Sequence, residues 1–215
     1  MCWSAEADAV TGGVVAALGV VCLARVRRVQ QLPLAAMPLV LGVHQLVEAA
    51  VWLRAAGRID PATAGSARLA WAVIALPLLP VLVPFGVWCA ARPRTAWQAA
   101  LLGLGVAVAV ALAVPVARGP VTAQVHGHAL GYRIGVPGAA VLVAGYLLAT
   151  VGALLASGDR VLRLLGVLVG AGAVVCAAVW RLTFVSTWCA LAAVCAVLLL
   201  RWVRTTGARG RPRPV

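Results

Sequence analysis

The sequence predicts an all-α membrane protein, a bundle of seven transmembrane helices with its amino terminus outside and its carboxyl terminus in the cytoplasm. Three observations predict it. Of the 215 residues 64% are apolar, the mean hydropathy is +1.04, and arginines separate unbroken apolar runs of about 20 residues. So apolar a chain cannot cover itself with a polar surface, and lipid must be its main solvent. In lipid every backbone N–H and C=O is paired within the protein, which leaves helices and closed barrels. Barrel strands read as alternating segments of about 10 residues, unlike these runs.

The expected spans are Ala9 to Ala24, Leu32 to Leu53, Arg68 to Ala90, Trp97 to Val116, Ile134 to Ala156, Val161 to Val179 and Thr183 to Val203. The first is the shortest, about 16 residues or 24 Å, and needs Arg25 to snorkel or the bilayer to thin. It does not read as a signal peptide: Glu6 and Asp8 precede it in place of a positive region, and no small-residue cleavage site follows before Arg25. Were it to lie on the membrane, six helices would remain and Cys2 would move inside.

The third span holds Pro77, Pro80 and Pro84, each without a backbone donor, which predicts a kinked or locally unwound helix covered by its neighbours. The sixth carries Gly166, Gly170 and Gly172, small residues that suit close helix packing. Residues 1–205 thus read as a single transmembrane helical domain, and 206–215 as a disordered arginine-rich tail that can touch anionic headgroups.

All 18 basic residues are arginine and the net charge is +13. In a soluble protein this would suggest nucleic acid. Here the arginines sit between spans, where they snorkel and report topology, so the expected partner is the lipid bilayer and no nucleic acid. The odd loops and tail hold twelve: Arg25, Arg27, Arg28, Arg92, Arg94, Arg160, Arg163, Arg201, Arg204, Arg209, Arg211 and Arg213. The other side holds six: Arg54, Arg58, Arg68, Arg118, Arg133 and Arg181. That asymmetry orients a multipass protein of the cell membrane with the odd loops and tail inside. Tryptophan agrees with it: Trp3, Trp52, Trp71, Trp180 and Trp188 fall near the outer ends and Trp88, Trp97 and Trp202 near the inner ends, as an interfacial belt requires. Having no lysine, the chain cannot form a retinal Schiff base.

His44 and Glu48 lie four residues apart on one face of the second span, with Gln45 beside them and Trp52 one turn further out. Glu48 is about 9 Å inward of Arg54, a depth at which an ionisable group needs a partner. The spacing serves metal ligation, a proton relay or an interhelical hydrogen-bonded pair. The fourth loop brings Gln124, His126, His128 and Tyr132 to the same side. His-x-His aims two imidazoles one way on an extended segment, and equally suits a solvated loop. The metal candidates are therefore His44, Glu48, His126 and His128, with haem as the other cofactor class. Cys2 and Cys189 share the outer side as a disulfide, as free thiols, or with a terminal Cys2 ligating a metal. Cys22 and Cys89 map to the inner side, and Cys176 and Cys195 to apolar positions within helices.

Three blocks carry a resemblance: the opening Met1-Cys2-Trp3-Ser4-Ala5, the stretch from Leu32-Pro33-Leu34 through His44-Gln45-Leu46-Val47-Glu48 to Trp52, and Val185-Ser186-Thr187-Trp188-Cys189-Ala190. They resemble an uncharacterised family of bacterial multipass membrane proteins that begin Met-Cys-Trp/Phe-Ser-Ala. The resemblance implies a fold and a location, without an activity. It adds Ser186 and Trp188 to the candidate polar pocket at the outer ends of the first, second and seventh helices.

Three functions remain open: a metal- or haem-dependent membrane enzyme, a proton or small-solute transporter using Glu48, and a structural or sensory membrane protein. HExxH, GxSxG, P-loop and CxxC motifs are absent from the sequence, which counts against the familiar enzyme classes and leaves an unfamiliar one open. The favoured expectation is a polar, metal-binding pocket open to the outer face; the oligomeric state is not specified.

Overall fold

The computed structural model describes residues 4–126, 129–178 and 184–208, and their side chains except at 126, 129, 176–178, 184–190 and 207–208. The helices are α1 (Ala5–Ala24), α2 (Leu32–Ala55), α3 (Pro61–Val73), α4 (Leu79–Ala90), α5 (Ala96–Arg118), α6 (Ala139–Leu155), α7 (Arg160–Ala178) and α8 (Phe184–Ala208). A 3₁₀ turn at Val29–Gln31 leads into α2, and a π segment at Ile74–Leu78 joins α3 to α4 in one continuous run. The chain thus has seven helical rods among its described residues. The runs Ala5–Ala24, Val29–Ala55, Pro61–Ala90 and Ala96–Arg118 are long and apolar enough to cross a membrane.

Local chemistry sets the helix starts. Ser4 caps α1 by accepting from the Ala7 amide at 3.2 Å, so the helix begins at Ala5 instead of Ala9, and Glu6 and Asp8 fall in its first turn, where the helix dipole favours acids. Asp60 caps α3 ahead of Pro61, Thr95 and Gln98 form a capping box on α5, and Asp159 accepts from the Val161 amide at 2.8 Å to start α7.

The prolines of the third expected span explain its π segment. Pro77 has no N–H for the Val73 carbonyl, so the hydrogen-bond ladder slips by one residue. In that slipped register Pro80 is the missing donor to Ala75, and the Tyr146 hydroxyl on α6 donates to the Ala75 carbonyl instead, at 3.0 Å. Pro84 likewise leaves the Pro80 carbonyl without its donor, and α5 closes on that oxygen at Gly105, where a Cβ would strike it. Local unwinding and cover by neighbours are both present.

Packing follows the small residues. α1 and α2 meet through Gly12, Ala16 and Gly19 on one side and Gly42 on the other; a Cβ on Gly19 would meet the Leu39 backbone, and one on Gly42 the Ala16 backbone. α7 approaches α6 at Gly166, whose Cβ would lie 2.9 Å from that of Leu154, and at Gly170, 3.2 Å from Val151 Cγ1. One apolar cluster, including Leu34, Val83, Leu101, Leu154, Leu162 and Leu199, fills the half of the bundle where α1 ends and α2 begins. Cys195 is buried within it, as its apolar position predicted. Trp202 is buried there too, and so does not serve as an interfacial anchor: α8 turns its indole onto the neighbouring helices.

An antiparallel hairpin, β1 (Thr122–His126) and β2 (Ala129–Arg133), links α5 to α6. Its pairing sets Ala123 opposite Tyr132 and Val125 opposite Leu130. Because paired residues share a face, these four line one side of the hairpin, on which Leu130 is buried. The fifth expected span is shortened accordingly, since α6 starts at Ala139 and runs for 17 residues.

Candidate functional site

Asp8 in the first turns of α1, and His44, Gln45 and Glu48 on α2, are all buried, Asp8 completely and Glu48 to 1% exposure. They meet at one end of the bundle because Gly12 lets α1 lie directly on α2: a Cβ there would sit 3.0 Å from the Gln45 Cβ. Trp71 comes in from α3 and its indole N–H donates to Glu48 Oε2 at 3.3 Å. A hydrogen bond to a charged group contributes about 1.5–3 kcal/mol net. On one side the His44 ring lies 5.2 Å from the Trp71 ring centroid, tilted by 34°. On the other Tyr132 stacks on Trp71 at 3.6 Å and 4°, so the hairpin rests on the indole. Arg68 fastens the approach to that hairpin, its Nε donating to the Val121 carbonyl at 3.0 Å.

The charges in this group feel one another. Burial above all, then the carboxylates of Glu48 and Asp8, push the Tyr132 hydroxyl well above the ordinary phenol range, with Arg68 opposing. Tyr132 therefore keeps its proton at any physiological pH. Among the described residues, the buried polar atoms without a hydrogen-bond partner include His44 Nε2, Gln45 Oε1, Trp52 Nε1 and the Tyr132 hydroxyl oxygen. Leaving a buried polar group without a partner costs about 1–3 kcal/mol, so each of these atoms calls for an explanation.

The expected residues divide as follows. His44, Glu48 and Tyr132 come together around Trp71, with Gln45 on the same helix turn and Trp52 one turn further along α2. His128, Cys2, and the side chains of His126, Ser186, Trp188 and Cys189 lie outside the described residues. Among the described residues, no three His, Cys, Asp or Glu side chains are grouped to hold a metal ion.

Asp8, Trp71 and Arg68 were missed as members of this cluster. Trp71 was assigned to the interfacial belt, but it is 8% exposed and belongs to the protein interior, because its N–H has a carboxylate to satisfy. The signal for Asp8 was available: an acid directly before the apolar run of α1, one turn ahead of Gly12, lies on the face that Gly12 and Gly19 press onto α2. Only its contact with a helix elsewhere in the chain reveals a role.

No curated protein and no solved structure matches the chain. The resemblance read from the opening, α2 and α8 blocks was to a family without a known activity. A family model described as a family of unknown function, DUF6629, matches residues 1–213, and the chain belongs to that family.

Proposed function

We propose that this is a multipass protein of the cell membrane in which all seven rods cross the bilayer, the amino terminus outside and the arginine-rich end in the cytoplasm. The outward surfaces support it: Val10, Val110, Val141, Val174 and Val197, from α1, α5, α6, α7 and α8, are each more than half exposed, as side chains facing lipid should be. Arg25, Arg28, Arg92, Arg160 and Arg201 gather at one end of the bundle by the alternation of the rods, in keeping with a cytoplasmic face.

We infer that the outer end binds a metal ion, with His44 Nε2 and the Glu48 carboxylate as ligands and His126 and His128 completing the set. The observation that carries this reading is the bare Nε2 of a buried imidazole one helical turn from a fully buried carboxylate. Trp71 orients Glu48 from behind, and Asp8 adds negative charge that favours a cation. Transport is the weaker reading, because among the described residues Leu34, Met37, Val83 and Leu199 belong to one buried apolar cluster between this site and the opposite end.

The test is elemental analysis with optical absorption on detergent-purified protein, comparing the parent with His44→Ala, Glu48→Gln and His126→Ala. About one equivalent of metal, or a haem band, that each substitution removes is the expected result. A parent that is metal-free and takes up none of zinc, copper, iron or manganese on titration would overturn the metal site, leaving the polar cluster a packing device.

A further inference from the structure

The end of the bundle opposite to His44 holds a cavity of about 500 Å³, built where three loops and the end of α8 converge. Arg28 comes from the segment before α2, Arg92 and Thr95 from the α4–α5 loop, Ser157 and Asp159 from the α6–α7 loop, and Trp202 and Thr206 from α8. Its walls are fixed by hydrogen bonds. Gln31 Oε1 accepts from the Arg27 and Arg28 amides at 3.0 and 3.1 Å, which sets the backbone that carries Arg28, and its Nε2 reaches Thr206 Oγ1 at 2.7 Å, tying that segment to α8. Leu162, Ala156 and Trp202 supply an apolar floor. A second cavity of about 430 Å³ adjoins it at Gly158 and Asp159 and adds Arg160 and Arg201.

The charge of this end cannot be balanced from within the chain. Of the five acidic residues, Glu6, Asp8, Glu48 and Asp60 lie at the other end, and Asp159 alone is here. Asp159 is already engaged, its Oδ1 accepting from the Val161 and Leu162 amides. Guanidinium groups on a concave, partly apolar surface focus positive potential into it, and their planar forks match the oxygens of a phosphate.

We propose that this cavity binds a phosphate-bearing anion, gripped by Arg28 and Arg92, with the apolar floor accommodating the carbon skeleton attached to it. The same chemistry is offered by the headgroup of an anionic phospholipid and by free phosphate. Topology alone would require arginines near this end, but not their convergence from separate loops on a shared cavity.

Native mass spectrometry on the detergent-purified full chain tests it, using a short-chain phosphatidylglycerol, the corresponding uncharged diacylglycerol and inorganic phosphate as probes. The parent should retain one equivalent of phosphatidylglycerol at least tenfold more tightly than diacylglycerol. The Arg28→Gln/Arg92→Gln double variant should lose that preference. Arg28→Lys/Arg92→Lys should keep part of it, and Arg118→Gln/Arg133→Gln, at the other end, all of it. Millimolar phosphate that displaces the lipid would make free phosphate a ligand in its own right; phosphate that fails to compete would make the lipid the ligand. A parent that retains neither probe, or that retains phosphatidylglycerol and diacylglycerol equally, overturns the proposal without any variant having to fold.

Discussion

Replacing Gly42 by alanine should loosen α1 from α2, and Gly13→Ala provides the measure. A Cβ on Gly42 would lie 2.7 Å from the Cβ of Ala16 and nearer still to the Ala16 backbone. Carbon atoms rest about 3.5–4.0 Å apart, so the two helices must separate by about 1 Å. Backbone cannot swing aside as a side chain can, and overpacking of this kind costs about 1–3 kcal/mol. Alanine also gains about 1 kcal/mol over glycine in helix propensity, which would mask part of that loss. Gly13 sits on the same pair of helices with nothing within 4 Å of its Cβ. It collects the propensity without the clash, and the difference between the two variants isolates the clash. Unfolding in mixed detergent micelles should therefore show Gly42→Ala less stable than Gly13→Ala by about 1–3 kcal/mol. Equal stability, or Gly42→Ala the more stable, would mean that α1 does not lie on α2 as described, and Asp8 would then not belong to the cluster around Glu48.

Two further outcomes follow from hydrogen bonds. Tyr146→Phe removes the donor to the Ala75 carbonyl and leaves that oxygen unpaired inside the bundle, at a cost of about 1–3 kcal/mol. Thermal unfolding in detergent should show the loss, together with faster amide exchange around the π segment; an unchanged midpoint would mean that another donor serves Ala75. Asp60 caps α3 in an exposed position, and its bonds to the Thr63 hydroxyl and backbone hold its carboxyl below the ordinary 3.8. A carboxyl depressed in the folded state contributes stability that is present above its unfolded value and is lost as pH falls through the folded value. The first turn of α3 should therefore fray only in acid, below about pH 4. Asp60→Asn, which caps without titrating, should abolish the pH dependence of Ala62 and Thr63 amide protection.

The helices were legible because apolar runs bounded by arginine leave lipid no alternative, and the unwinding of the third span was legible because a proline's missing donor is a local fact. The hairpin was not. Five residues of mixed character such as Thr122–His126 give too short an alternation to distinguish a strand from a loop, and contacts with distant residues, the Tyr132 stack on Trp71 among them, hold the hairpin in place. At the candidate site, His44 and Glu48 were legible through the helical period, which places residues four apart on one face. Asp8 and Trp71 were not, since each gains its meaning from a partner on another helix, and glycines 12, 19 and 42 announce close approach without saying to what.

Charge was legible as topology but carries more than that. Four of the five acids stand at one end of the bundle and twelve of the eighteen arginines are assigned to the other, so the chain is polarised along its own axis. At the first end, burial above all and then the carboxylates of Glu48 and Asp8 hold Tyr132 in its neutral form, with Arg68 opposing. At the second, guanidinium groups with a single engaged carboxylate among them favour an anion. Neither end can neutralise the other across a bundle filled by Leu34, Val83 and Leu199. The shortage of counter-charge within the chain therefore falls on the second end alone, since the end that holds four acids is also assigned six arginines.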